Sequence, residues 1–297
     1  MADSFYVRLY THILRYNHRI VDRGVIAPSG IIEESGERIM KTLFCFVSAL
    51  FIIGMSVGHA AIGVTGYHNI HIWTTDPEAA VEWYIKYLGA VEGGTGAPAV
   101  KFGETFIAFR KTDTPTASVG SVIDHYGISV PDIDAAMQRL EGSGAKVLEP
   151  VREAPGLFKL AFIEDPFGAK VELVQDAEWP DFHHVHLRVP DPTATLDWYE
   201  DVIGGTRAKL KGKIDGLRYG GVWLVAQDSG GEKMAPSDDR AIQNVAWVIT
   251  DMDEAVAALK AAGAKTLVEP FAATDTVTVA FFEDPHGVTV EVIHRLR

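Results

Sequence analysis

The chain has 297 residues, 47% of them hydrophobic, and a formal net charge of −13. That length and apolar content suffice for one or two domains with real cores. The acidic balance argues against nucleic acid and anionic lipid headgroups, which are bound by clustered Lys and Arg that displace counterions, so small molecules are the expected partners.

In chain order the first feature is an apolar run, in which Met40-Lys41 leads into Thr42 to Met55 and then Gly58-His59-Ala60. A basic residue, a short apolar stretch and small residues before a cut site form the pattern of a secretory signal, too short for a comfortable membrane span. Residues 40–60 are therefore expected to be a signal peptide cleaved after Ala60. The mature protein is expected in the periplasm or secreted, with no stable membrane insertion; an uncleaved, membrane-anchored form is the alternative. Residues 1–39 then form a misassigned or disordered extension, with Met40 as the true start. Cys45, the single cysteine, lies inside the signal, so the mature part carries no thiol to mispair in an oxidising compartment.

From Tyr67 onward the chain overlays on itself. Four apolar strands run into an aspartate that opens a helix, at Asp76, Asp132, Asp191 and Asp251. The segment Asp76 to Tyr84, with Trp83-Tyr84, recurs as Asp191 to Tyr199, with Trp198-Tyr199. The segment from Asp132 to Lys146 recurs from Asp251 to Lys265. The order is thus four modules in two similar halves, 67–176 and 179–297, with the first module like the third and the second like the fourth. His68 to Trp73 and His184 to Val189 alternate as strands do. Asp or Asp-Pro then marks a helix start, a glycine closes the helix, and short strands follow, so each module reads β-α-β-β-β and the fold class is α+β. Trp83, Tyr84, Trp198 and Tyr199 are expected to be core aromatics of helices packed on sheet.

Seven residues before the four aspartates stand Asn69, His125, His184 and Asn244. The strand motif Asp165-Pro166-Phe167-Gly168 leads to Glu172, and its repeat Asp284-Pro285-His286-Gly287 leads to Glu291. Repeated units with His and Glu at fixed strand positions point to a metal site between units.

The strand-Asp-Pro-helix-Trp-Tyr-Leu-Gly pattern and the Asp-Pro-x-Gly-x-x-x-Glu strand, in four ordered modules over residues 67–295, resemble the vicinal oxygen chelate superfamily of glyoxalase I, bleomycin-resistance proteins and extradiol dioxygenases. The resemblance implies two fused domains, each made of paired modules that curl into an open β cup. A metal would be held by the first-strand residue of each partner and by strand carboxylates. Carried over, the first-strand positions are Asn69, His125, His184 and Asn244, and the last-strand positions are Glu172 and Glu291. Two pairings are open. If first pairs with second and third with fourth, each site holds one Asn, one His and one Glu. If second pairs with third and first with fourth, one site collects His125, His184 and Glu172, while the other keeps Asn69, Asn244 and Glu291. The second scheme yields the metal ligands His125, His184 and Glu172 for a divalent ion, Zn, Ni, Mn or Fe. His71 and His186, two residues along the same faces, are alternative ligands, and His71 would complete a site of the first and second modules. His68 and His183 point the other way and are expected to be surface or packing residues; His286 is expected to be a loop residue.

The expected chemistry is that of an exported metal-dependent isomerase or lyase. The metal would bind two neighbouring oxygens of a small substrate, and Glu172 would be ligand and catalytic base. One rival is a metal-free module that sequesters an aromatic or cationic compound in a cup lined by Trp73, Phe109, Trp223 and Trp247. The other is an Fe(II) extradiol-type dioxygenase, which needs a further His and Tyr just upstream of Asp-Pro-x-Gly; neither 156–163 nor 276–282 has them. Processing gives a direct check: intact-mass measurement is expected to show a mature chain beginning at or near Ala61, and a membrane-bound chain that still starts before Met40 would overturn it.

Overall fold

Each of the four expected helix starts is held by its aspartate. The Oδ1 atoms of Asp76, Asp132 and Asp191 accept from the backbone N–H three residues on at 3.0 Å, and Asp251 does so at 2.9 Å, caps of about 1 kcal/mol each. The computed structural model describes residues 62–94 and 96–296. The 1–39 extension, the 40–60 signal and Cys45 lie outside the described residues. No helix among the described residues is long and apolar enough to cross a membrane.

The first module consists of β1 (Val64–Thr74), α1 (Pro77–Trp83), β2 (Val91–Glu92), β3 (Ala99–Phe102) and β4 (Thr105–Lys111). Helix α1 runs on as a widened π turn, Tyr84–Leu88, which Gly89 closes at φ 75°. The second comprises β5 (Ile123–Ser129), α2 (Ile133–Arg139), β6 (Lys146–Glu153), β7 (Lys159–Glu164) and β8 (Lys170–Gln175). The third comprises β9 (Asp181–Val189), α3 (Pro192–Val202), β10 (Thr206–Leu210), β11 (Ile214–Tyr219) and β12 (Val222–Asp228). The fourth comprises β13 (Ile242–Ile249), α4 (Met252–Ala261), β14 (Lys265–Thr274), β15 (Val277–Glu283) and β16 (Thr289–Arg295).

These strands form two eight-stranded sheets, ordered β14-β15-β16-β13-β1-β4-β3-β2 and β10-β11-β12-β9-β5-β8-β7-β6. The first and fourth modules share one sheet, and the second and third share the other. Each join is antiparallel, β1 with β13 and β5 with β9. Within a module the last strand lies parallel beside the first. We call the concave faces the outer cup (first and fourth modules) and the inner cup (second and third). The sequence halves 67–176 and 179–297 are thus repeats that each give one module to each sheet.

The helices tie the two sheets together. Tyr84 donates to Asp165 Oδ2 at 2.5 Å, and Trp83 Nε1 donates to Ser143 O at 2.9 Å, both from the first module to the second. Tyr199 to Asp284 Oδ2 at 2.7 Å and Trp198 Nε1 to Ala262 O at 2.9 Å repeat this from third to fourth. The other oxygen of each aspartate closes its own Asp-Pro-x-Gly turn, accepting from the N–H groups two and four residues on at 2.8–2.9 Å. Trp83, Tyr84 and Tyr199 are core residues and Trp198 packs half-buried against the same core, and the polar ends of all four dock one module on the next. Tyr84, Tyr199, Ile70 and Val185 are fully buried in the large core under the helices. Separate smaller apolar clusters lie on the two cups.

Because every sheet needs both halves, residues 62–177 and 178–297 expressed as separate chains are expected to give no cooperatively melting monomers by calorimetry and sedimentation; two such monomers would contradict this domain arrangement.

Candidate metal centre

The join of β5 and β9 sets His125 opposite His186 and Gly127 opposite His184, while Glu172 on β8 is the neighbour of Gly127 on its other side. A side chain at 127 would stand between the two. A Cβ built there lies 2.2 Å from His184 Cε1, so glycine leaves the space that the imidazole fills.

His125, Glu172, His184 and His186 each offer a ligand atom, all within 4.8 Å of one another. Glu172 Oε2 is 3.1 Å from His125 Nε2 and 3.0 Å from His184 Nε2. The rings of His125 and His186 have centroids 4.6 Å apart. His125, Glu172 and His184 are buried, and the buried His186 Nε2 has no hydrogen-bond partner. Burial opposes ionisation of Glu172, but the bonds from His125 and His184 outweigh it and hold its carboxyl well below the usual carboxylate range. Burial likewise opposes charge on His125, yet its bonds to Asp124 and Glu172 push it up. Burial lowers His184 and, together with the neighbouring imidazoles, lowers His186 well below the usual histidine range. An ionised carboxylate among imidazoles, two of them held neutral and one with a buried nitrogen that no group hydrogen-bonds, is a donor set that fits a divalent ion at about 2.0–2.2 Å from each atom.

The outer supports differ for the two histidines bonded to Glu172. His125 Nδ1 is 2.6 Å from Asp124 Oδ2, which Lys170 Nζ also reaches at 2.6 Å. His184 Nδ1 is 2.8 Å from Nδ1 of His183, whose Nε2 is 3.3 Å from Asp176 Oδ2. Lys211 Nζ, at 2.7 Å, holds the other oxygen of Asp176. Above the donors lies a cavity of about 140 Å³ lined by residues from all eight strands or their adjoining turns, among them Phe158, Leu160, Phe162 and Val225, with Arg152 and Gln227 as its other polar side chains.

The outer cup holds a different set. His71 Nε2 is 3.4 Å from Glu291 Oε2, and Asn244 Nδ2 donates to the same oxygen at 2.8 Å. Arg110, on β4, brings its guanidinium within 3.1 Å of His71 Nε2. A fixed cation thus stands beside the carboxylate, and the first and fourth modules supply one imidazole in place of three. Burial pushes Glu291 up to about 7, against the opposing pull of Arg110, Asn244 and Asn69.

The structure therefore brings His125, His184 and Glu172 together and adds His186, expected only as a substitute ligand. His71 completes no site with the second module, which lies in the other sheet. His183, expected to be a surface or packing residue, is fully buried and backs His184. Strand alternation separates 183 from 184, but the register shift of the β5–β9 ladder beside Gly127 lets neighbouring rings meet edge to face. The aromatic lining also differs. Trp223 packs with the inner-cup cluster, whereas Phe109 and Trp247 belong to the core under the helices. His286 sits in its turn as expected, with its N–H on Asp284.

A family model described as Glyoxalase/Bleomycin resistance protein/Dioxygenase superfamily matches residues 66–173 and 181–292. The chain is 25% identical over 249 residues to the "Putative glyoxylase CFP32" of Mycobacterium tuberculosis, covering 75% of this chain and 92% of that one. It is 35% identical over 144 residues to the "Probable lactoylglutathione lyase, chloroplastic" of Arabidopsis thaliana, covering 43% of this chain and 41% of that one. Among solved structures, glyoxalase I from Zea mays superposes with a TM-score of 0.63 at 20% identity, covering 76% of this chain and 91% of the maize chain, a likeness of fold.

Glu291 supplies a pH test. Its folded-state pKa lies above that of an unfolded glutamate, so between about pH 4.5 and 7 the folded protein holds a proton that the unfolded chain has released, and this group's contribution to stability falls as pH rises across that window. Melting temperatures of Glu291→Gln are expected to lose that part of the slope relative to the unsubstituted protein; an unchanged slope would mean that Glu291 is ionised throughout.

Proposed function

The chain belongs to the glyoxalase/bleomycin resistance protein/dioxygenase superfamily, and on that premise we propose that it is an exported divalent-metal enzyme of isomerase or lyase type, acting on a small substrate with two neighbouring oxygens. The observation that carries the reading is the buried convergence of His125, Glu172, His184 and His186 beneath a cavity.

His125, His184 and His186 would hold the ion with Glu172, and when bound the ion supplies Lewis-acid stabilisation of negative charge on the substrate oxygens. The chain supplies the rest. The Glu172 carboxylate would turn toward the substrate, where Oε2 takes a proton from the carbon beside the carbonyl and returns it to the neighbouring carbon. The apolar walls, Phe158, Leu160, Phe162 and Val225, exclude water from that transfer and hold the substrate's hydrocarbon part. A cavity of about 140 Å³ encloses a compact molecule and leaves a glutathione-sized conjugate largely outside. Export through the 40–60 segment agrees with this, since an exported enzyme would meet little of the mainly cytosolic thiol pool.

Metal stoichiometry by mass spectrometry after reconstitution with zinc, nickel, manganese or iron tests the reading. The unsubstituted protein is expected to carry about one ion; His125→Ala, His184→Ala and Glu172→Ala are each expected to lose most of it, and His71→Ala and Asn244→Ala to keep it. A protein that takes up none of the four metals returns the argument to a metal-free binding cup.

A further inference from the structure

The two cups carry a matched pair of positions with opposite charge. Asp176 lies four residues after Glu172, and Arg295 lies four residues after Glu291. Each meets Nε2 of a histidine on its module's first strand: His183 Nε2 is 3.3 Å from Asp176 Oδ2, and His68 Nε2 is 2.7 Å from Arg295 Nη2. Each histidine in turn meets the next residue through Nδ1 at 2.8 Å, His184 Nδ1 in the inner cup and Asn69 Nδ2 in the outer.

A neutral imidazole has one donor nitrogen and one acceptor nitrogen, so the carboxylate behind His183 sets which way that ring turns its lone pair. Asp176 is a carboxylate held by Lys211 Nζ at 2.7 Å and by the backbone N–H of Glu178 at 3.0 Å, and it can only accept. His183 therefore carries its proton on Nε2 and turns the lone pair of Nδ1 inward. With His184 Nε2 given to an ion, the facing atom, His184 Nδ1, carries the proton and donates to that lone pair, in place of the bond that Nε2 otherwise makes to Glu172 Oε2 at 3.0 Å. In the outer cup both neighbours of His68, the Arg295 guanidinium at Nε2 and the Asn69 amide nitrogen at Nδ1, are donors, so no such line of accepted protons runs inward there.

We infer that His183 and Asp176 are positioning residues of the inner cup, a two-step relay that accepts the Nδ1 proton of His184 and so holds that ring with Nε2 toward the ion. The inference rests on the metal reading given above. Metal-ligating histidines ordinarily meet their carboxylate or carbonyl directly, as His125 meets Asp124; here a second imidazole is interposed. The relay also accounts for His183, which is fully buried beside Phe158 and touches the metal centre only through His184.

Two measurements on the full protein test it. Nitrogen-15 spectra of the zinc-loaded protein are expected to show His183 protonated on Nε2 and unprotonated on Nδ1. Zinc affinity by chelator competition is expected to weaken by about 10–100-fold in His183→Phe, which keeps the ring volume and loses the acceptor, the scale usual for removal of an outer-shell partner. His183→Gln, whose amide oxygen can accept from His184 while its amide nitrogen donates to Asp176, is expected to recover most of that loss. A His183 ring protonated on Nδ1 in the zinc-loaded protein overturns the relay, as does a folded His183→Phe with unchanged affinity. If His183→Phe does not fold, the tautomer and the His183→Gln affinity decide. If the unsubstituted protein binds no zinc, nickel, manganese or iron, the metal reading and the relay fail together, whereas zinc binding with unchanged affinity in His183→Phe removes the relay alone.

Discussion

The antiparallel join of β5 and β9 is a ladder between modules far apart in the chain, and it decides which side chains meet. With His125 set against His186 and Gly127 against His184, four potential donors from two modules converge. Gly127 is the pivot of this register. It gives up its side chain so that His184 can cross the strand and reach Glu172, and the loss of strand propensity at one glycine, up to about 1 kcal/mol, is small beside the cost of leaving a buried carboxylate unpaired.

Burying so many polar groups is tolerable because each is answered in sequence. Lys170 sits near the surface and holds Asp124, which holds His125; Lys211 holds Asp176, which holds His183 and through it His184. Both lines begin at a lysine and end at Glu172. His186 is the one inner-cup imidazole whose buried Nε2 has no hydrogen-bond partner. The outer cup solves the same burial problem with Arg110, Asn244 and a carboxyl that resists ionisation near neutral pH.

Much of this was legible in the residues. The caps at Asp76, Asp132, Asp191 and Asp251 and the Asp-Pro-x-Gly turns are local motifs whose geometry the chain writes within a few residues, and the asymmetry of His125, His184 and Glu172 against Asn69, Asn244 and Glu291 made one module pairing chemically richer than the other. Features that depend on neighbours from another module were less visible. His186 was legible only as a substitute because its partner across the join is set by register. His183 looked outward under simple alternation, and a register shift brings it beside His184. Arg110 lies outside the repeated motifs, and its approach to His71 follows from the parallel pairing of β4 with β1. Phe109 and Trp247 show the same limit, since an apolar strand residue can serve either face.

The exchange of modules between sheets also bears on how such a chain is made. When synthesis has passed Gln175, β1 and β5 are both complete, yet each lacks the antiparallel neighbour that β13 and β9 will supply from residues still to come. Two central strands thus wait with open edges, and β1 waits for the strand at Ile242–Ile249 near the far end of the polypeptide. Open edges of this length invite pairing with other chains, and a fold built on contacts so distant in sequence closes slowly. The interval between the two halves is therefore the time at which the protein is most exposed to aggregation, long before any metal or substrate has a place to bind.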